Sequence, residues 1–504
     1  MFAQQKFFAC NVHKFPTSKG KEIISTVMAG FFLKGGKNRK RKNAGKTPIA
    51  VRQKKKSKEV VSDNDDSDLS GAEELESNQS ESEDETAQEK RLRLAKEYIS
   101  KLEHEETDKQ LDKDIDKEAI AHRLQEDVLE DAGHLEKFIA DTIKPNMENI
   151  KILRGHQLPV TCVVVSHDNK YIFSASKDGT IIKWDVTSGV KLGKILNKAK
   201  TKDPKSECHS GQVLCLALTT DFKFLASGGQ DMLVLIWNPD TLAWLHTFKG
   251  HRDNISGLAF QHRKHQLFSA SNDKTIKVWS LDEMAYVETL YGHEDAVLGI
   301  DSLYRDHAVS CGGRDRSVHL WKIPEESQLV FQSSKGSSFD CITMLNEEYF
   351  LTGGDDGSLS VFFVRKKKPI TLRMNAHQKK SESPRTCCDE SWITAVTCLP
   401  YTDLVASAGS CDGCIKLWRC EKSFRAVKEI HSIPMLGFVN SLKFSSNGDF
   451  LVAGVGQEHR LGRWWKIKEA RNSICIIPLD KISSEEKINR QQTGDKKNNN
   501  NNNT

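Results

Sequence analysis

The stretch Ser271-Asn272-Asp273-Lys274-Thr275-Ile276-Lys277-Val278-Trp279 sets an aspartate six residues before an indole. The interval returns along the chain: Asp178 precedes Trp184, Asp231 precedes Trp237, Asp315 precedes Trp321, Asp356 precedes Phe362 and Asp412 precedes Trp418. These aspartates follow one another at 53, 42, 42, 41 and 56 residues. A period of about 40–45 residues marks a propeller blade, one four-stranded sheet per repeat. Working outward, a histidine stands 22 residues before the aspartate in four units, as His156, His209, His251 and His293. Glycine precedes three of them (Gly155, Gly250, Gly292), and Cys208-His209, Ala376-His377 and Ile430-His431 are variants of the pair. Between histidine and aspartate lie apolar runs such as Val213 to Leu218 and Phe224 to Ser227, which read as strands. A seventh, degenerate unit sets Glu458 six residues before Trp464.

Seven units of this kind resemble the WD40 family, and the fold class expected is all-β, a seven-bladed β-propeller over 144–480. The resemblance implies a buried chain in which the Asp meets the His, the His meets a Ser or Thr, and that hydroxyl meets the Trp. Ser174, Ser227, Ser269 and Thr352 stand four residues before their aspartates and fit that slot. Blade 4 departs with Cys311, blade 5 with Ser334 in place of the histidine, blade 6 with Ala408, and blade 7 with Gly454 and Glu458. Those blades are expected to be held by packing instead. Asn149 to Leu153, ahead of the first Gly-His pair, is the strand expected to close the ring in blade 7.

The flanks differ in kind. Phe31 to Lys58 holds 12 Lys/Arg and no acid, and Ser62 to Glu85 holds 11 Asp/Glu and no base. Like-charge blocks repel and stay unfolded, so 1–85 reads as a basic then acidic tail. Lys37, Arg39, Lys40, Arg41 and Lys42, then Lys54, Lys55 and Lys56, read as nuclear localisation clusters. Residues 86–143 read as a charged helical segment, opened by the capping box Thr86-Ala87-Gln88-Glu89 and striped by Ala95, Tyr98, Ile99 and Leu102. Residues 481–504 form an Asn-rich low-complexity tail. No run of ~18 apolar residues offers a membrane span. Thirteen cysteines, an odd number without framework spacing, fit free thiols in a reducing compartment.

Each tetrad contains Ser, His and Asp, yet several copies in one chain mark architecture, and no enzyme is read here. Cys411 and Cys414, with Cys420 nearby, span one hairpin and fall short of four converging ligands, so no metal, cofactor or small-molecule substrate is assigned. Function is then sought on the faces. Residues flanking the hairpin aspartates share one face, and Lys177, Arg252, Lys274, Arg314, Arg316, Arg460, Arg463 and Lys466 are the candidate contacts for RNA or a partner.

Three longer strings are more specific: ETAQEKRLRLAKEYI from Glu85, KIPEESQLVF from Lys322, and NSLKFSSNGDFLVAGVGQEHRLGRWWKIKEARNSICIIPL from Asn440. They resemble the family of U3 small nucleolar RNA-interacting WD40 proteins over about 86–480. The resemblance implies a non-enzymatic nucleolar subunit of the U3 box C/D ribonucleoprotein. It would bind the box B/C element beside the small kink-turn-binding protein and other processome proteins, in early pre-rRNA processing towards 18S rRNA. The competing readings are a ubiquitin-ligase substrate receptor, against which Trp184-Asp185-Val186-Thr187 lacks the Trp-Asp-x-Arg signature, and a chromatin reader.

Overall fold

The computed structural model describes residues 137–200, 207–333, 336–377, 392–410, 412–421, 424–462 and 466–481, together with Arg93, Lys96 and Ser100. These last three are helical. The basic clusters, the acidic block and the Asn-rich tail lie outside the described residues.

Six four-stranded antiparallel sheets, over 160–195, 213–249, 255–291, 297–332, 339–373 and 393–434, are joined by a seventh built from both ends of the domain. Burial explains the strand chemistry. Second strands such as Leu225–Gly229 and Leu404–Gly409 are buried at every residue, because neighbouring blades cover both faces. They therefore read as continuous apolar or small-residue runs. Outermost strands meet water on one side, and Trp244–Lys249 is largely exposed or half-buried. Innermost strands line a central channel of about 420 Å³. In each blade the innermost pair carries a bulge near the same end, leaving one residue unpaired: Thr161, Leu214, Ser256, Leu298, Asp340, Thr394 or Asn440. Such bulges sharpen the local twist and re-aim a side chain.

Ring closure is as expected and goes further. Lys151–Leu153 pairs with Ser473–Lys481, Leu153 facing Ile474. Ile143–Pro145 pairs with the far end of that nine-residue strand, Ile143 facing Lys481. The end of the segment read as helical is thus propeller: Ala140–Thr142 is a 3-10 turn, and Asp403 accepts bonds from the backbone N–H of Ile139 (2.8 Å) and Ala140 (3.0 Å).

Blade 7 corrects the frame built on Glu458 and Trp464. Its third strand is Ser473–Lys481, which pairs with Phe450–Gly456, sixteen residues lying between them in the chain. By register, Leu451 faces Ile477 as Leu225 faces Trp237, so a buried isoleucine holds the indole's place.

Candidate nucleic-acid interface

The tetrads fix the face on which the site lies. In blade 3 the Trp279 indole donates to Ser269 Oγ (2.8 Å), Ser269 lies 2.7 Å from His251 Nε2, and His251 Nδ1 lies 2.9 Å from Asp273 Oδ2. A carboxylate only accepts, so Nδ1 carries the proton and Nε2 accepts from the hydroxyl. Blade 2 repeats this with Trp237, Ser227, His209 and Asp231. In blade 1, Trp184 and His156 meet Ser174, but His156 Nδ1 is 3.8 Å from Asp178 and is linked to it through Thr180 (3.1 Å). The serines are fully buried, each held between an indole and an imidazole, which is no place for a nucleophile to meet a substrate. Gly155 has its own reason: a Cβ there would lie 2.8 Å from the Trp184 ring.

Two blades expected to lack the tetrad have it. In blade 4, Ser310 bonds His293 Nε2 (2.7 Å) and Trp321 (2.8 Å), and His293 Nδ1 lies 2.7 Å from Asp315. In blade 6, Ser407 bonds His377 (2.6 Å) and Trp418 (2.7 Å), with His377 on Asp412. The second-to-third-strand hairpin is one residue longer in these blades, so the serine stands five residues before the aspartate and Cys311 and Ala408 fall one place off. In blade 5, Thr352 bonds only the Ser360 carbonyl among the described residues (3.4 Å), and Phe362 replaces the indole.

Because histidine and aspartate bond each other, the loops that carry them share one face, and the candidate cations divide there by exposure. Arg252, Lys274, Arg314, Arg316 and Lys466 are exposed. Lys274 and Arg316 occupy the hairpin position after the aspartate at φ 71° and 58°, where other blades place Gly179 and Gly357. Lys177 is a correction: it is buried, donates to the Gly462 carbonyl (3.0 Å) and lies 3.9 Å from Glu458, tying blade 1 to the blade 7 loop. Arg460 is half-buried and lines the central channel, apart from the exposed cations of the rim. Arg463 lies outside the described residues. Acids share the face: Asp253 and Glu294 are exposed, and Lys274 Nζ donates to the Glu294 carbonyl (2.7 Å). Sequence reasoning passed over Tyr291, 72% exposed, which stands just before Gly292-His293; its signal was an aromatic where the outer strands turn back into the ring.

Repeating blades, buried tetrads and a closed ring define a WD40 propeller. The "WD domain, G-beta repeat" model matches residues 147–185, 202–238, 243–280, 284–322 and 382–419, the five blades in which a serine joins a histidine to an indole. The chain is 57% identical over 400 residues to the human "U3 small nucleolar RNA-interacting protein 2", covering 79% of this chain and 83% of that protein. It is 26% identical to "Ribosomal RNA-processing protein 9" of Saccharomyces cerevisiae, over 83% of this chain and 94% of the relative. A solved structure titled "Structure of U3-55K" superposes with a TM-score of 0.63 at 52% identity, covering 66% of this chain and all of that one. The chain belongs to the family of U3 small nucleolar RNA-interacting protein 2.

Proposed function

We propose that this protein is a non-enzymatic ribonucleoprotein subunit that binds U3 small nucleolar RNA through the tetrad face of its propeller. The observation that carries this reading is the gathering of Arg252, Lys274, Arg314, Arg316 and Lys466, exposed, on one face of a chain whose relatives are named for U3 RNA. Folded RNA is recognised largely through shape, phosphates and 2′-hydroxyls, and a stiff disc holding cations at fixed spacing suits that task. Family resemblance narrows the target to the box B/C element, bound beside the small kink-turn-binding protein in the nucleolus during processing towards 18S rRNA. Import would use the clusters at Lys37 to Lys42 and Lys54 to Lys56.

The test is charge reversal of Arg252, Arg314 and Arg316 together, reading U3 RNA affinity against salt. If each neutralises one phosphate, the slope of log K against log salt falls by about 2–3 units. Unchanged affinity and slope would refute this face. In cells, recovery with ubiquitin-ligase subunits or histones, without U3 RNA, would overturn the reading itself.

A further inference from the structure

Four of the seven bulge residues tie neighbouring blades at the tetrad end of the channel, and of the three that do not, only Asp340 is polar. Thr161 Oγ1 donates to the Val213 carbonyl of the next blade (2.6 Å), Thr394 Oγ1 to Val439 (2.7 Å) and Asn440 Nδ2 to Val160 (2.8 Å). Ser256 does the same to Val297. Blades 2 and 4 place Leu214 and Leu298 there, which ask for no partner. Asp340 alone among the seven brings a carboxylate, which cannot donate to the carbonyl that the hydroxyls and amide use. The Asp340 side chain is left facing the channel. Burial raises its carboxyl to about 6 against the opposing pull of Arg460.

Arg460 is the complementary anomaly. Its backbone N–H donates to Asn440 Oδ1 (2.9 Å), fixing the start of the blade 7 loop at the channel mouth. Its Nε is buried with no hydrogen-bond partner among the described residues. The Arg460 charge acts on Cys215, Cys311 and Cys341 as well as Asp340, groups on the inner parts of three other blades. Beside it, His459 meets the edge of Trp392 at 5.9 Å and 90°. One cavity thus presents the Asp340 carboxylate and the Arg460 guanidinium, the latter with an unpartnered Nε among the described residues. The channel they share encloses about 420 Å³ over its whole length, enough for a planar base to enter at this end.

We propose that the axial mouth on the tetrad face binds one guanine base, Asp340 accepting from its N1–H and N2–H₂ and Arg460 donating to its O6 and N7. Guanine is the base that offers paired donors on one edge and paired acceptors on the next, and arginine to O6/N7 is its commonest specific contact. An unstacked base entering such a pocket is how proteins read single-stranded RNA. The base is an unpaired guanine of the bound RNA, a step that rests on the RNA reading above, or that of a free guanine nucleotide.

Two arms test this with the full chain. In the first, U3 box B/C RNA carries inosine, which lacks N2, or 7-deazaguanine, which lacks N7, at each unpaired guanine in turn. One position should lose about fivefold or more in affinity, within the worth of a bidentate base contact. Asp340→Ala should abolish the inosine effect only, and Arg460→Met the 7-deazaguanine effect only. A merely structural role would weaken all RNAs alike. In the second arm, GMP, AMP, CMP and UMP are titrated without RNA, and GMP alone should show saturable binding that either substitution removes. RNA sensitivity without GMP binding assigns the site to the RNA base, and GMP binding without RNA sensitivity assigns it to the nucleotide. Intact RNA binding with neither effect overturns the guanine site and spares the RNA reading, whereas loss of U3 binding by the unaltered protein with GMP ignored overturns both.

Discussion

At the scale of single residues, a tetrad is a chain of groups that cannot be broken cheaply, since each buried member leaves another unsatisfied. Removing a buried partner costs about 1–3 kcal/mol. Ser310→Ala should therefore destabilise the protein by that amount in chemical denaturation, although the sequence spacing alone points to Cys311. Thr352→Val in blade 5 should cost less than ~1 kcal/mol, because no histidine or indole there depends on the hydroxyl. The aspartates also predict a pH response. Burial alone would raise Asp231, Asp273 and Asp315, but the bonds from His209, His251 and His293 overcome it and hold the carboxyls low. A depressed folded value gives stability that is complete above the unfolded value of ~3.9 and lost as pH falls through the folded one. The gap in Tm between the protein and Asp273→Asn should thus hold steady from pH 7 to about 4 and shrink below it. Arg316 is strained as well as charged, sitting at φ 58°. Arg316→Gly should raise stability by up to ~1 kcal/mol while weakening U3 RNA binding, the two readouts moving in opposite directions.

At the scale of elements, the blade 7 strand Ser473–Lys481 organises both ends of the domain. It pairs with Phe450–Gly456 on one side and with two separate N-terminal strands on the other. The strap before those strands depends on Asp403, 4% exposed, whose one oxygen accepts two backbone N–H groups. Asp403→Ala should cost about 1–3 kcal/mol by leaving those donors unsatisfied, read as a fall in the thermal unfolding midpoint. The sequence concealed this element because Arg460 to Trp464 imitates a third strand by spacing alone, while Ile477 occupies the indole's place without looking like a substitute. One interval was legible, but the loop that separates it from the true strand was not.

At the scale of the molecule, seven sheets packed flank to flank leave no free inner edge, and a closed ring holds its face loops in fixed relation. That rigidity makes a set of exposed cations usable as one surface. Lys177 and Arg460 show the limit of counting charges along a chain. Lys177 flanks a hairpin aspartate and Arg460 stands two residues after Glu458, yet one bridges blades 1 and 7 and the other turns into the channel.

The periodic aspartates, the histidines before them and the family strings determined the fold class, the blade count and the closing strand. Those features are local intervals that every blade of this kind must keep, so they survive in one dimension. Tertiary structure alone decided which hydroxyl completes blades 4 and 6, since a hairpin one residue longer slides the register without changing the motif. It alone brought Asp340 and Arg460 to one channel, because the two stand 120 residues apart and share a lining only when the ring closes around its axis.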